Sequence, residues 1–163
     1  MKKLVLLFSL MAITTANAQE ANYRAFPTEL RAENNVFDVS GKNASELYQL
    51  TKSWIAREYT NPKGVMKLDD ENKTIKINYH FDITSPSKVK VKYNLLLDFK
   101  DDKVRVTFTD IGDTYGTKYS KFFDEYGSPK KSKSVQKSIN TLENYVSKFV
   151  DEYISYLQKG NDW

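Results

Sequence analysis

The chain of 163 residues contains no cysteine, and this absence removes several classes of function at once. Without thiols there is no disulfide framework, no thiolate zinc site and no cysteine nucleophile. The only histidine, His80, leaves one imidazole for acid–base chemistry and excludes a poly-histidine metal site within the chain. No phosphate-binding loop, nucleophile elbow or metal-binding helix motif is present in the sequence. We therefore predict no catalytic residue, no cofactor and no metal, and a protein that is not an enzyme.

Residues 1–18 have the three parts of a secretory signal peptide. Two lysines form the basic start, residues 4–13 are almost entirely apolar, and a small-x-small motif ends at Ala18. The apolar run is shorter than the roughly 20 residues that a membrane-spanning helix needs. We predict cleavage between Ala18 and Gln19, with no stable membrane insertion afterwards.

Removal of the signal peptide changes both the length and the charge. The whole chain has 25 basic and 21 acidic side chains and a net charge of +4, and two of its lysines belong to the signal peptide. Residues 19–163, the predicted mature chain, carry a net charge of only +2. We predict a periplasmic or secreted protein of a Gram-negative bacterium. Nucleic acid is not its expected partner, because export separates the protein from the chromosome and its charge is mild.

The hydrophobic pattern predicts a single α+β domain over residues 36–159, preceded by an extended N-terminal arm over residues 19–35. A short strand begins at Val36. A helix follows it, because Asn43 and Glu46 form a capping-box pair ahead of an apolar stripe. In the four strands that come next, apolar and polar residues alternate, which favours an antiparallel sheet with one apolar face.

A long amphipathic helix completes the pattern. From about Ser134 to Gln158, apolar residues recur every three or four positions, and their stripe is as wide as that of a core-facing helix. The predicted order is therefore β-α-β-β-β-β-α in two layers, with both helices packed on the apolar face of the sheet.

Two stretches resemble a family of secreted bacterial proteins. The first runs from Gly41 to Tyr48 and continues in Trp54-Ile55, and the second is the hairpin from Tyr93 to Ile111. Both are similar to the domain of unknown function 4468, and the resemblance implies a TBP-like fold and no known catalytic residues. Where that family usually has an Asp-Gly turn in the hairpin, this chain has Asp102 in place of glycine.

The polar face of the predicted sheet is the leading candidate for a binding surface. Its alternating basic residues suit an anionic ligand, but they equally suit a solubilising face whose lysines protect the strand edges. The residues of this candidate surface are Lys76, His80, Lys88, Lys90, Lys92 and Arg105. His80 shares its face with Asp82, a pattern that fits a solvated side chain as well as a general base.

The segment 112–133 is rich in aromatic residues and has no clear period. Tyrosine-rich loops make good recognition surfaces, so Tyr115, Tyr119 and Phe123 join the candidate surface. The alternative interpretation is that these side chains cover the open end of the core between the helices and the sheet.

These features favour an exported binding or accessory module that meets a protein, a glycan or another envelope component. Two alternatives stay open: a small carrier of a hydrophobic ligand, built like a helix-grip fold, and an inhibitor of an envelope enzyme. The carrier requires a roomy cavity, whereas the large inward side chains predicted for this sheet fill the interior. We expect a monomer or a weak homodimer.

Overall fold

A computed structural model describes residues 20–26, 29–32, 34–83, 89–113 and 122–160. The predicted signal peptide and its cleavage site at Ala18 and Gln19 lie outside these ranges, as do Lys88, Tyr115 and Tyr119. Among the described residues, no helix has both the length and the hydropathy that a membrane crossing requires.

Seven strands and three helices make up the described part of the chain. The strands are β1 (Tyr23–Ala25), β2 (Glu29–Ala32), β3 (Val36–Asp38), β4 (Met66–Asp69), β5 (Thr74–Ile83), β6 (Val89–Lys100) and β7 (Lys103–Asp113). The helices are α1 (Ala44–Glu58), α2 (Pro62–Val65) and α3 (Lys133–Lys159). The predicted fold class, an α+β protein with an antiparallel sheet, is confirmed.

The sheet is centred on its three longest strands. Its order is β1-β2-β7-β6-β5-β4, and every strand pair is antiparallel. β3 also pairs with β7, opposite residues 103–105, while β2 pairs opposite residues 108–109. β2 and β3 therefore pair with the same edge of β7, one after the other along its length.

The element order differs from the prediction on the N-terminal side. The segment 19–35, predicted as an extended arm ahead of the domain, contains β1 and β2, which continue the sheet beyond β7. Only Tyr23, Ala25 and Leu30 of these two strands are buried, too few to show a period in the sequence. The observed order is β-β-β-α-α-β-β-β-β-α, because the arm adds two strands and the short α2 precedes β4.

One face of the sheet is covered by α1 and α3. The apolar rows of the long strands are buried on this face, with Val106 and Phe108 fully enclosed. α3 presents the predicted apolar stripe, from Ile139 to Leu157, to the core. Trp54 of α1 and Tyr153 of α3 join the two helices, with 4.6 Å between their ring centroids.

The start of α1 has the predicted capping box. Asn43 Oδ1 accepts a hydrogen bond from the Glu46 N–H (3.0 Å), and Glu46 Oε2 accepts one from the Asn43 N–H (2.8 Å). Two backbone donors of the first helical turn, which the helix itself leaves unpaired, are thereby satisfied.

The turn between β6 and β7 holds the loop that leads into α1. Asp102 adopts a left-handed backbone conformation with a φ of 60°. Glycine is preferred at such a position because it adopts positive φ values without steric cost. Its carboxylate accepts a hydrogen bond from the Gly41 N–H (2.6 Å), while Asp101 accepts one from the Ala44 N–H (2.8 Å). Aspartate in place of glycine therefore adds an acceptor that ties α1 to the sheet.

α3 closes the outer edge of β1 with its side chains. The backbone N–H groups of Ala21, Tyr23 and Ala25 donate in turn to Asp151 (2.8 Å), Ser147 (3.1 Å) and Glu143 (3.0 Å). The donors are two residues apart along an extended chain, and the acceptors are four residues apart along a helix. Both spacings span about 6–7 Å, so each donor lies beside one acceptor. The edge amides of β1 thus have partners without another strand.

We expect Glu143→Ala to lower the free energy of unfolding by about 1–3 kcal/mol, because it leaves the Ala25 N–H without its acceptor. Glu143 is only 9% exposed and also binds Arg24 at 3.0 Å. Urea denaturation followed by circular dichroism measures the change.

Glu152→Ala is the matched control for Glu143→Ala. Glu152 lies on the exposed side of the same helix, 3.7 Å from Lys148. Its removal should cost less than about 0.5 kcal/mol. Equal destabilisation by the two variants would contradict the role assigned to Glu143.

Candidate functional site

The face of the sheet away from α1 and α3, called the open face below, carries most of the predicted basic residues. Those described are Lys76 of β5, Lys90 and Lys92 of β6, and Arg105 of β7, and all four are exposed. Strand pairing places them on one face of three neighbouring strands, as the alternation implies, but spreads them along the strands from the level of Thr74 to that of Asp82.

Acidic side chains neutralise part of the open face. Asp98 lies directly opposite Arg105, and its Oδ2 atom is 2.9 Å from Nε and 2.8 Å from the terminal guanidinium nitrogen. Asp82 lies opposite Lys90, with 3.5 Å between Oδ1 and Nζ. Arg105 and Lys90 therefore already have anionic partners within the chain.

A second group of lysines on the open face has no such partner. Lys67 of β4 lies directly opposite Lys76. Both side chains line a surface groove, and Lys63 of α2 lines it too. Within the described ranges, no carboxylate oxygen lies within 4.0 Å of their ammonium groups, and Asp69 interacts with Lys76 only at longer range. Like charges directly opposite one another destabilise a strand pair, so an anion bound here would relieve a repulsion.

These lysines line a groove of about 620 Å³ between α2 and the central strands. Leu96 contributes an apolar patch, and a second depression of about 510 Å³ adjoins it and shares the two opposed lysines. Beside them, Asn78 donates to Asn94 (2.8 Å), and Asn94 donates to Asp110 (2.6 Å). The lysine groove therefore offers ammonium groups beside an ordered row of amides, which suits an anionic group on a polar molecule.

Lys63 and Lys67 are site residues that are not predicted from the sequence. Alternation along β4 was visible, but the position of Lys67 opposite Lys76 depends on the register between two strands. Lys63 lies on α2, a single helical turn with Asn61 as its N-cap. The side chain of Asn61 accepts a hydrogen bond from the Gly64 N–H (3.2 Å). By itself, the sequence Asn-Pro-Lys-Gly at positions 61–64 indicates only that a helix ends there.

His80 lies at the outer edge of β5 and is partly buried. Its Nε2 atom is 3.1 Å from Lys90 Nζ and 3.6 Å from Asp82 Oδ2, and its ring stacks on Tyr79 with 4.5 Å between centroids. Among the described residues, no three histidine, aspartate or glutamate side chains cluster in a way that could hold a metal ion.

The prediction that Phe123 belongs to a recognition surface is wrong. Phe123 is only 4% exposed and forms a β-bridge with Pro129, so it contributes to the core. Burial is the expected fate of a phenylalanine without a polar group, whereas Tyr126 nearby is 86% exposed.

A smaller cleft of about 270 Å³ opens on the helix side, between the end of α1, β5 and α3. The hydroxyl groups of Tyr59 and Tyr93 lie 3.0 Å apart in its wall and are buried. Burial raises the pKa of both phenols, and it also raises the pKa of Tyr153, whose hydroxyl lies 2.7 Å from Thr51 Oγ1. This aromatic cleft is smaller than the roughly 300–1,000 Å³ of ordinary small-molecule pockets.

We expect stability to be lost at alkaline pH because of these buried phenols. In the unfolded chain they ionise near pH 10, whereas the folded protein keeps them protonated. The unfolded state then binds fewer protons, so the free energy of unfolding falls above about pH 10, by up to about 1.4 kcal/mol per pH unit for each such tyrosine.

A spectrophotometric titration of the phenolate band, run beside far-ultraviolet circular dichroism, checks this alkaline transition. The buried tyrosines should ionise only as the helical signal is lost. Ionisation of all tyrosines near pH 10 without loss of structure would contradict the prediction.

The sheet with helices on one face and an open face on the other is an α+β domain of TBP-like fold. Residues 34–113 match the family described as "Domain of unknown function (DUF4468) with TBP-like fold", so the predicted resemblance is confirmed. No curated protein was found to match the chain.

Two solved structures are similar to the chain. One is a TBP-like protein from Parabacteroides distasonis ATCC 8503, with a TM-score of 0.61 and 13% sequence identity, covering 77% of this chain and 91% of that one. The other is a DUF4468 family protein from Bacteroides ovatus ATCC 8483, with a TM-score of 0.48 and 15% identity, covering 78% and 85%. Because its sequence identity is so low, the first match speaks for the fold alone.

Proposed function

We propose that the protein is an exported, non-enzymatic binding module that holds an anionic envelope component, such as an acidic glycan, in the lysine groove. The observation that carries the proposal is the pair of lysines directly opposite each other, Lys67 and Lys76, with Lys63 beside them and no acidic partner within ion-pair distance in the described chain. A bound carboxylate or sulfate would replace the missing counter-charge.

The surroundings of His80 support a role without catalysis. A general base needs a free ring nitrogen within hydrogen-bond reach of the group that it deprotonates. Here Nε2 faces the ammonium group of Lys90 at 3.1 Å, and Asp82 is too far away, at 3.6 Å, for a good orienting hydrogen bond. The imidazole belongs to a surface charge cluster in this arrangement.

The filled interior speaks against a carrier of hydrophobic ligands. Phe81 and Tyr93 stack in the core with 4.1 Å between centroids, and Phe108 lies 5.6 Å from Tyr93. Among the described residues, the opening beside these rings is the aromatic cleft, whose volume of about 270 Å³ lies below the usual range of small-molecule pockets. No feature of the described chain favours the enzyme inhibitor over the binding module.

The proposed export depends on the signal peptide predicted for positions 1–18. In the described chain, the first hydrogen bond after the predicted cleavage site is made by Ala21, whose N–H donates to Asp151. Cleavage after Ala18 would therefore leave all described strands and helices in the mature chain.

We expect Lys67→Glu/Lys76→Glu to abolish binding to a sulfated polysaccharide such as heparin, because two attractive charges become repulsive. The wild-type protein should bind at low ionic strength and release the polyanion as salt rises, because salt screens exposed charges. Isothermal titration calorimetry at several salt concentrations measures both effects.

The control for this test is Lys133→Glu/Lys137→Glu. It makes the same change of net charge at exposed positions in the first turns of α3, away from the groove. This variant should keep most of the affinity. If both double variants lose binding equally, the attraction is a general charge effect and the groove is not the site.

We also expect the full chain, expressed in a Gram-negative host, to lose its signal peptide on export. Intact mass spectrometry of the periplasmic protein should show a chain that starts at Gln19 and ends at Trp163. Ala18→Arg places a large charged residue at the cleavage position and should block processing. An uncleaved wild-type protein in the cytoplasm would refute the export proposal without bearing on the groove.

A further inference from the structure

Within the described ranges, only half of the outer edge of β5 is paired with another strand. β4 pairs with Thr74–Ile77 and begins at Met66, directly after α2. In the part of the chain that the structure describes, no strand pairs with the outer edge of residues 78–83. The backbone N–H and C=O groups of such an edge can pair with another strand. At the far side of the sheet, by contrast, side chains of α3 accept hydrogen bonds from the edge N–H groups of β1.

This edge is complementary to itself in hydrogen bonding, because it carries an imidazole donor and a carboxylate acceptor. When two β5 edges pair antiparallel and the pairing is centred on Phe81, His80 of each copy lies opposite Asp82 of the other. Both side chains belong to the open face, so the pairing keeps the faces of the two sheets aligned. Asp82 is 64% exposed and therefore accessible to a second copy.

The other charges around His80 do not oppose this pairing. Lys90 lies 3.5 Å from Asp82, so one ammonium group and one carboxylate face each other beside His80 in each copy. Lys92 lies opposite His80 on the inner side, towards β6. A pair centred on Asp82 or on Tyr79 would not bring His80 opposite Asp82, so the hydrogen bonds between imidazole and carboxylate favour one register.

On the helix side, the same pairing covers apolar surface. The aromatic cleft borders this edge, and Tyr145 on its rim is 43% exposed although its ring lies 4.9 Å from that of Phe81. A second copy would remove this surface from water. A strand pair of about five residues with a small cleft buries less area than a standard interface, so the association is weak and reversible.

We propose that a second copy of this chain pairs with the exposed edge of β5, in a two-fold dimer centred on Phe81. The contact uses the same surface on both copies and therefore closes on itself rather than growing into a fibre. It joins the two sheets into one and places both lysine grooves on the same continuous open face. Two grooves on one face bind a long polyanion more tightly than either groove alone.

A charge swap tests the dimer in the mature chain by sedimentation equilibrium over a wide range of protein concentration. His80→Asp puts carboxylates opposite each other twice and should weaken dimerisation about tenfold or more. Adding Asp82→His to this variant restores two opposed His–Asp pairs and should recover the wild-type affinity. Lys76→Gln makes the same change of net charge away from the exposed edge and should leave dimerisation unchanged.

Cysteine cross-linking tests the register, because the chain contains no cysteine of its own. A mixture of His80→Cys and Asp82→Cys proteins should form a disulfide-linked heterodimer on mild oxidation, since directly opposite residues lie within disulfide range. Neither variant alone should form a disulfide-linked dimer, because its two cysteines lie diagonally across the strand pair and not directly opposite each other. A wild-type protein that stays monomeric at every concentration would overturn the proposal, as would a dimer that His80→Asp leaves intact.

Discussion

The packing of α3 across the apolar rows of β5, β6 and β7 is the contact on which the other features of the structure depend. Its apolar stripe buries the inner face of the sheet from Ile139 to Leu157. One flank of the same helix carries the acceptors Glu143, Ser147 and Asp151, which hold β1. The opposite flank carries Tyr145, which overlies Phe81 and leaves the aromatic cleft beside the edge of β5. One helix therefore closes the sheet at one side and leaves it open at the other.

The open face follows from the same arrangement, since both long helices cover the other side. Its charges are not uniform. Towards the ends of the strands, Arg105 and Lys90 lie opposite carboxylates, whereas Lys67 and Lys76 lie opposite each other. Charge-neutral pairs contribute to pairing between strands, and a like-charged pair works against it. Net charge alone, only +2 for the predicted mature chain, does not reveal this division.

Much of the fold could be predicted because its signals are local. Strand alternation identified the central sheet, the Asn43–Glu46 pair identified the start of α1, and the apolar stripe identified α3. β1 and β2 were missed because such short strands, with few buried side chains, carry no periodicity, and the contacts that hold the pair to β7 and α3 lie far away in the sequence. Lys67 was missed for a related reason, because register between strands is a property of the folded chain. Phe123 shows the limit of composition: an aromatic segment does not say which of its rings are buried.

The attachment of β1 also has a consequence for the order in which the protein folds. Its three bonds to α3 join residues that are 130, 124 and 118 positions apart. Contacts between such distant segments close large loops and form late, after local hairpins and helices. The β5–β6–β7 meander can assemble from neighbouring strands, but the acceptors for β1 do not exist until synthesis has passed Asp151. The first strand of the sheet to be made therefore depends on the helix that is made last for its hydrogen-bond acceptors.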